Sequence, residues 1–124
     1  MIALSKEQII RLHSKLLEAT GGLDGIRDEG LLDSALSSAH QTFDGEELYP
    51  STVAKIARLA YGLVNNHPFV DGNKRIGTYA MLVLLELNQI ETDFTDVDII
   101  RIGLELACGN MNDAQLLDLI LERM

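Results

Sequence analysis

Ile76-Gly77-Thr78-Tyr79-Ala80-Met81-Leu82-Val83-Leu84-Leu85 is the least polar stretch of the chain. Ten residues are about half of a membrane span. The run is apolar nearly all round, and an element of that kind belongs inside a helical bundle rather than on its surface. Reading outward, the helix that contains it extends from about Asn73 to Asn88. Upstream, Val53, Ile56, Ala57, Ala60, Leu63 and Val64 recur at helical spacing, with Pro50 suited to a first helical position and Pro68 beyond the end. Nearer the start, Ser5-Lys6-Glu7-Gln8 fits a capping box, and Ile9, Leu12, Leu16 and Leu17 follow on one face until Gly21-Gly22. Leu31, Leu32, Ala35, Leu36 and Ala39 mark a short second helix. Downstream, Thr95-Asp96-Val97-Asp98 opens a fifth helix with acids where the dipole favours them. Its apolar positions are read as Ile100, Leu104, Ala107 and Cys108, with Gly109 as the C′ residue. Asn112 with Gln115 opens a sixth, carrying Leu116, Leu117 and Ile120. No convincing strand alternation is present. The expected fold is all-α, residues 1–124 forming a single domain of about six helices.

Composition narrows the function. Nineteen acidic residues against ten basic ones give a formal charge of −9. A basic footprint for nucleic acid is missing, and an anionic membrane surface is disfavoured for the same reason. Cys108 stands alone, which excludes an intramolecular disulfide and a multi-cysteine zinc site; it is expected to be a small buried hydrophobe. MIALSKEQII lacks the cationic start and long apolar run of a signal peptide, so a cytoplasmic location is expected.

Chemistry converges on His67-Pro68-Phe69-Val70-Asp71-Gly72-Asn73-Lys74-Arg75, between the third and fourth helices. Pro68 biases His67 away from the right-handed helical region. Gly72 permits a tight turn, and Asn73 is suited to cap the fourth helix, whose first N–H groups would point into the loop as an anion site. Lys74 and Arg75 in the first turn oppose the helix dipole by roughly 0.3–1 kcal/mol each. A bound phosphate chain reverses that sign. Asp71 is a hard oxygen ligand for Mg²⁺ beside the site. Imidazole titrates near neutrality, which suits His67 to removing a proton from a hydroxyl. The residues alone read as a Mg²⁺–nucleotide site with a histidine base. Taken one at a time, the same residues are also ordinary turn and surface choices.

HPFVDGNKR resembles the signature of the Fic/Doc family, and GGLDGIRDEGLLDSAL at residues 21–36 resembles the N-terminal region of its Doc (death-on-curing) branch. The resemblance implies a helical core with His67 as general base, Asp71 on Mg²⁺, Gly72 and Asn73 shaping an anion hole, and Lys74 and Arg75 on the phosphates. Phe69 would anchor the loop in the core. Members that transfer AMP usually carry Gly after the Asn, then Arg, and a second Arg three residues later. Lys74, Arg75 and Thr78 stand at those positions. That departure resembles the Doc toxins and implies transfer of the γ-phosphate of ATP to a protein hydroxyl. In that branch the acceptor is a threonine of elongation factor Tu, and translation halts. AMP transfer on the same scaffold is the first alternative, and a catalytically idle helical binding module the second.

Other features carry less. Residues 40–50 are acidic and without period, and the resemblance aligns them with a target-docking loop, Phe43 and Tyr49 being its apolar contacts. His13 is expected to be packed within the first helix, and His40 is unremarkable at a helix end. A zinc site built from the three histidines has no ligand spacing behind it. The family's self-inhibitory Ser/Thr-x-x-x-Glu-Gly/Asn motif fails at Thr42–Glu46 and at Ser14–Glu18, which are followed by Glu47 and Ala19. Restraint is therefore expected in trans, from an antitoxin whose disordered tail folds on binding.

Overall fold

The computed structural model describes residues 1–124. The elements are α1 (Lys6–Thr20), α2 (Glu29–Ser38), β1 (Thr42–Phe43), β2 (Glu46–Glu47), α3 (Thr52–Asn65), α4 (Asn73–Leu87), α5 (Asp96–Ala107) and α6 (Asp113–Glu122). Six helices form the all-α fold expected. Capping boxes open α1 at Ser5, α5 at Thr95 and α6 at Asn112, each satisfying two orphan backbone donors.

The expected centre is shifted by one helix. α3 buries ten of its fourteen residues, whereas α4 buries seven of fifteen. α3 lies against α2, α4, α5 and α6, and α4 against α1, α3 and α5. Small residues on α3 allow neighbours to approach from several sides. At the α3–α4 crossing a Cβ on Gly77 would stand 2.5 Å from Val64 Cγ2 and 3.2 Å from the Ala60 carbonyl oxygen, so only glycine fits. Ile76, Met81 and Leu84 of α4 have no exposure, and each such burial is worth about 1.5–3 kcal/mol.

Four local expectations are corrected. α3 starts at Thr52 behind an N-cap at Ser51, whose Oγ accepts from Ala54 N, so Pro50 precedes the cap. A hairpin interrupts the acidic segment: Thr42 pairs with Glu47 and Phe43 with Glu46. Its turn is Asp44-Gly45, with φ of 55° and 80°, the left-handed pair that a two-residue hairpin needs. Both strands are wholly exposed, so no burial pattern marks them.

α5 is rotated relative to the expected face. Ile102, Gly103 and Leu106 are buried, whereas Ile100 is 63% exposed and Leu104 48%. Cys108 is exposed at the C-cap instead of being buried. The helix carries two apolar stripes, and Gly103 selects between them by letting α4 approach. A Cβ there would meet Lys74 Cγ at 2.9 Å and Cδ at 3.2 Å. No helix is long and apolar enough to cross a membrane.

Candidate active site

α3 ends at Asn65, and residues 66–72 carry the chain to the mouth of α4. His67 adopts φ 52°, the left-handed region that side chains avoid, directly before Pro68. The connector between α1 and α2 holds this backbone. Arg27 N and Asp28 N donate to Pro68 O at 2.7 and 3.0 Å, and Val70 N donates to Gly25 O at 3.0 Å. Arg27 Nε donates to His67 O at 2.6 Å.

Phe69 anchors the loop as expected. It is 1% exposed and stacks on the ring of His13, with centroids 3.8 Å apart. His13 is packed rather than ligating, and its environment is specific. With no exposure, it donates from Nε2 to the Asp71 carbonyl at 2.7 Å. Its Nδ1 lies 3.3 Å from Asp24 Oδ1 without an aligned hydrogen bond. The following turn rests on that ring. Gly72 has φ 78°, and a Cβ there would meet Leu17 Cδ2 at 2.8 Å and His13 Nε2 at 3.4 Å.

Gly72, not Asn73, is the N-cap of α4. Asn73 is the first helical residue, 4% exposed, and its amide turns back into the loop. Oδ1 accepts from Phe69 N at 2.9 Å, while Nδ2 donates to Phe69 O at 3.0 Å. These two bonds fix the amide's orientation, so the second Nδ2 hydrogen faces His67 Nδ1 at 3.0 Å. Both amide hydrogens are thus engaged within the loop. The backbone N–H groups of Asn73, Lys74 and Arg75 have no acceptor in the chain and form the anion-facing mouth of the helix.

Asp71 Oδ1 accepts from Gly72 N at 2.8 Å and Oδ2 from Leu23 N at 3.3 Å. The Leu23 and Gly72 N–H groups, aided by Arg75 with Nη2 3.5 Å from Oδ1, hold this carboxyl below the usual carboxylate range.

Lys74 and Arg75 separate in role. Arg75 Nη1 donates to Thr20 Oγ1 at 2.7 Å and to Gly21 O at 2.6 Å, so its guanidinium binds the end of α1. Lys74 lays its stem over Gly103, and its ammonium has no hydrogen-bonding or ionic partner. Thr78, where a second arginine would stand, bonds back to the Lys74 and Arg75 carbonyls.

All six expected residues, His67, Asp71, Gly72, Asn73, Lys74 and Arg75, line one cleft of about 420 Å³ together with Val64 and Ala107. A larger hollow of about 680 Å³ lies around Glu86, Gln89 and Glu91, but no cation lines it and phosphate is disfavoured there. His13, His40 and His67 do not come together, and no three His, Cys, Asp or Glu side chains cluster as a metal cage. One half-exposed carboxylate, Asp71, suits an octahedral Mg²⁺ that keeps waters and shares substrate phosphates. In the hairpin, Phe43 is 73% exposed. Tyr49, expected beside it as a docking contact, is half-buried and lies under Arg58, 5.8 Å from ring centroid to guanidinium carbon.

Sequence reading missed His13, Arg27 and Ala107 as neighbours of the site. A signal existed for His13, which sits between Ile9 and Leu17 at four-residue spacing on the buried face. Arg27 lies within the stretch at residues 21–36 that resembles the Doc branch, but nothing in that stretch assigns it a place beside His67.

Comparison with known proteins places this architecture. The model of the Fic/DOC family matches residues 3–85. A curated relative named Toxin Doc, from Mycolicibacterium smegmatis (strain ATCC 700084 / mc(2)155), is 43% identical over 82 residues. That match takes in 64% of this chain and 62% of the relative, so the chain spans less than two thirds of the relative's length.

Proposed function

The chain belongs to the Fic/DOC family, and from that premise we propose that it is a Doc-like toxin, a phosphotransferase that moves the γ-phosphate of ATP to a protein hydroxyl. One observation carries the proposal: His67, Asp71, the three free N–H groups and the unpartnered Lys74 share one cleft. The N–H groups and Lys74 would hold the phosphate chain, and Asp71 would hold Mg²⁺. When bound, that ion neutralises charge on the phosphates and orients them. Gly72 contributes backbone close to the ligand, and Asn73 acts by holding the loop. Phosphoryl transfer asks mainly for alignment and charge stabilisation, which a rigid loop between buried helices supplies. The substrate oxygen bonds to the γ-phosphorus as the bond to the bridging oxygen breaks. ADP leaves, and His67 Nε2 receives the hydroxyl proton. Because Asn73 faces Nδ1 with a hydrogen, the resting neutral ring carries its own proton on Nε2. Base action there requires the Nδ1–H tautomer, and hence loss of the Asn73 contact.

Thr78 favours phosphate over AMP transfer, since it stands in place of a second arginine and spends its hydroxyl on the helix backbone. The acceptor proposed is a threonine of elongation factor Tu, with translation arrest as the outcome. Restraint is proposed to come in trans from an antitoxin, in keeping with the relative's name and with the failed self-inhibitory motif. Incubation with elongation factor Tu and ATP labelled at either the α or the γ phosphate tests the reading. γ-Label on the factor supports it, and α-label alone assigns AMP transfer instead. A His67→Ala variant that arrests growth as strongly as the parent, at equal expression, would mean an idle binding module.

A further inference from the structure

Arg27 reaches from the α1–α2 connector to the backbone of the proposed base. Its Nε donates to His67 O at 2.6 Å and its Nη2 to Asn66 O at 3.1 Å. The surrounding connector runs alongside the loop, with Ile26 bridged antiparallel to Phe69 and the Arg27 and Asp28 N–H groups both on Pro68 O. Arg27 makes no ion pair, so its charged fork is used on these two carbonyls. They lie on either side of the His67 N–Cα–C unit, whose φ is 52°. A residue kept in that region relaxes unless its surroundings over-determine it.

We infer that Arg27 is a positioning residue: by clamping the Asn66 and His67 carbonyls it keeps the His67 backbone left-handed and fixes where the imidazole stands in the cleft. The inference rests on the reading of His67 as the base. Arg27→Gln removes the charged fork, whereas Arg27→Lys keeps the charge and one of the two bonds. The experiment compares parent and both variants for γ-label transfer, affinity for Mg²⁺–ATP, thermal melting, and the ¹⁵N resonances of the His67 ring. Arg27→Gln is expected to lower turnover by about 10²-fold, the loss that a displacement near 1 Å brings. Nucleotide affinity should stay near that of the parent and melting should fall only modestly, as for Arg75→Ala. The His67 resonances should move, and Arg27→Lys should recover part of the turnover. Unchanged turnover with unmoved resonances overturns the inference, as does a loss matched by weaker nucleotide binding or by unfolding in both variants. A parent that transfers no label defeats the proposed function alone. The His67 resonances then still decide whether Arg27 sets the ring: moved supports it, unmoved overturns it.

Discussion

Asn73→Ala separates a loop staple from a phosphate ligand. The Asn73 amide makes three contacts of 2.9–3.0 Å, two to the Phe69 backbone and one to His67 Nδ1, at a site 4% exposed. Removing it orphans the N–H of Phe69, itself a 1% exposed residue. A buried donor left unsatisfied costs about 1–3 kcal/mol, and the other two bonds add about 1 kcal/mol each at most. Alanine's better helix propensity returns roughly 0.5 kcal/mol. The net expectation is a loss of about 2–3 kcal/mol. Urea denaturation followed by circular dichroism reads it directly. With a slope of about 1–3 kcal/mol/M, the midpoint should fall by roughly 0.7–3 M with the slope unchanged. A phosphate ligand with no structural duty would behave oppositely, losing nucleotide affinity at parental stability. A midpoint shift below about 0.3 M, too small for even one orphaned donor at that slope, would falsify the staple.

Gly77→Ala should lower the melting temperature, because the added Cβ meets Val64 Cγ2 at 2.5 Å and overpacking of that kind costs about 1–3 kcal/mol. Asp98 is held down to about 2 by Arg123 and by the Thr95 N–H, below its ordinary 3.8. A depressed carboxyl contributes stability that is present above the ordinary value and lost as pH falls through the folded one. Parent and Asp98→Asn melting curves should therefore differ at pH 5 and converge between about pH 4 and pH 2, and a constant gap down to pH 2 would refute this linkage. Lys74→Ala should leave melting unchanged and weaken Mg²⁺–ATP binding in calorimetry. Arg75→Ala should lower melting, because Thr20, Gly21 and Asp71 all lose a partner. In ¹⁵N spectra of the ligand-free protein, the neutral His67 ring should carry its hydrogen on Nε2, and the opposite tautomer there would contradict the Asn73 contact.

What the sequence discloses depends on whether one segment suffices to decide it. Capping is a four-residue matter, so the helix starts at Ser5, Thr95 and Asn112 are legible, although only Ser5 is read as a full capping box. The apolar face of α3 is legible too, and its six predicted positions are all buried. The cleft was legible because its six expected residues are consecutive or nearly so. The buried face of α5 is not legible because either of its apolar stripes satisfies the helical period; the choice lies in a glycine contact with another helix. The hairpin escaped because its four strand residues bury nothing, although Asp44-Gly45 is a turn signal in its own right. The cap of α4 falls one position before Asn73 because Gly72 can serve as a left-handed cap, and only the contacts to Phe69 reveal what the amide does. Arg27 lies 40 residues from the carbonyl it holds, a distance that no local pattern spans.

Arg75 changes what the two basic residues imply. Side by side at the start of a helix, Lys74 and Arg75 look like a pair awaiting one anion, since each opposes the α4 dipole. But α1 ends where α4 begins. Its last turn carries no basic residue of its own, and Arg75 supplies one through Gly21 O and Thr20 Oγ1. A cation at a helix C-terminus is favourable by about 0.3–1 kcal/mol, the same range as the penalty at an N-terminus. The Asp71 carboxylate at 3.5 Å offsets it further. Arg75 is thus compensated within the fold and needs no ligand to explain it. Lys74 is not: it has no acid, carbonyl or hydroxyl partner, and its stem is held by a glycine kept free of a Cβ. In a chain of net charge −9, that uncompensated ammonium, in the same cleft as three free N–H groups, is where a phosphate would be bound most favourably.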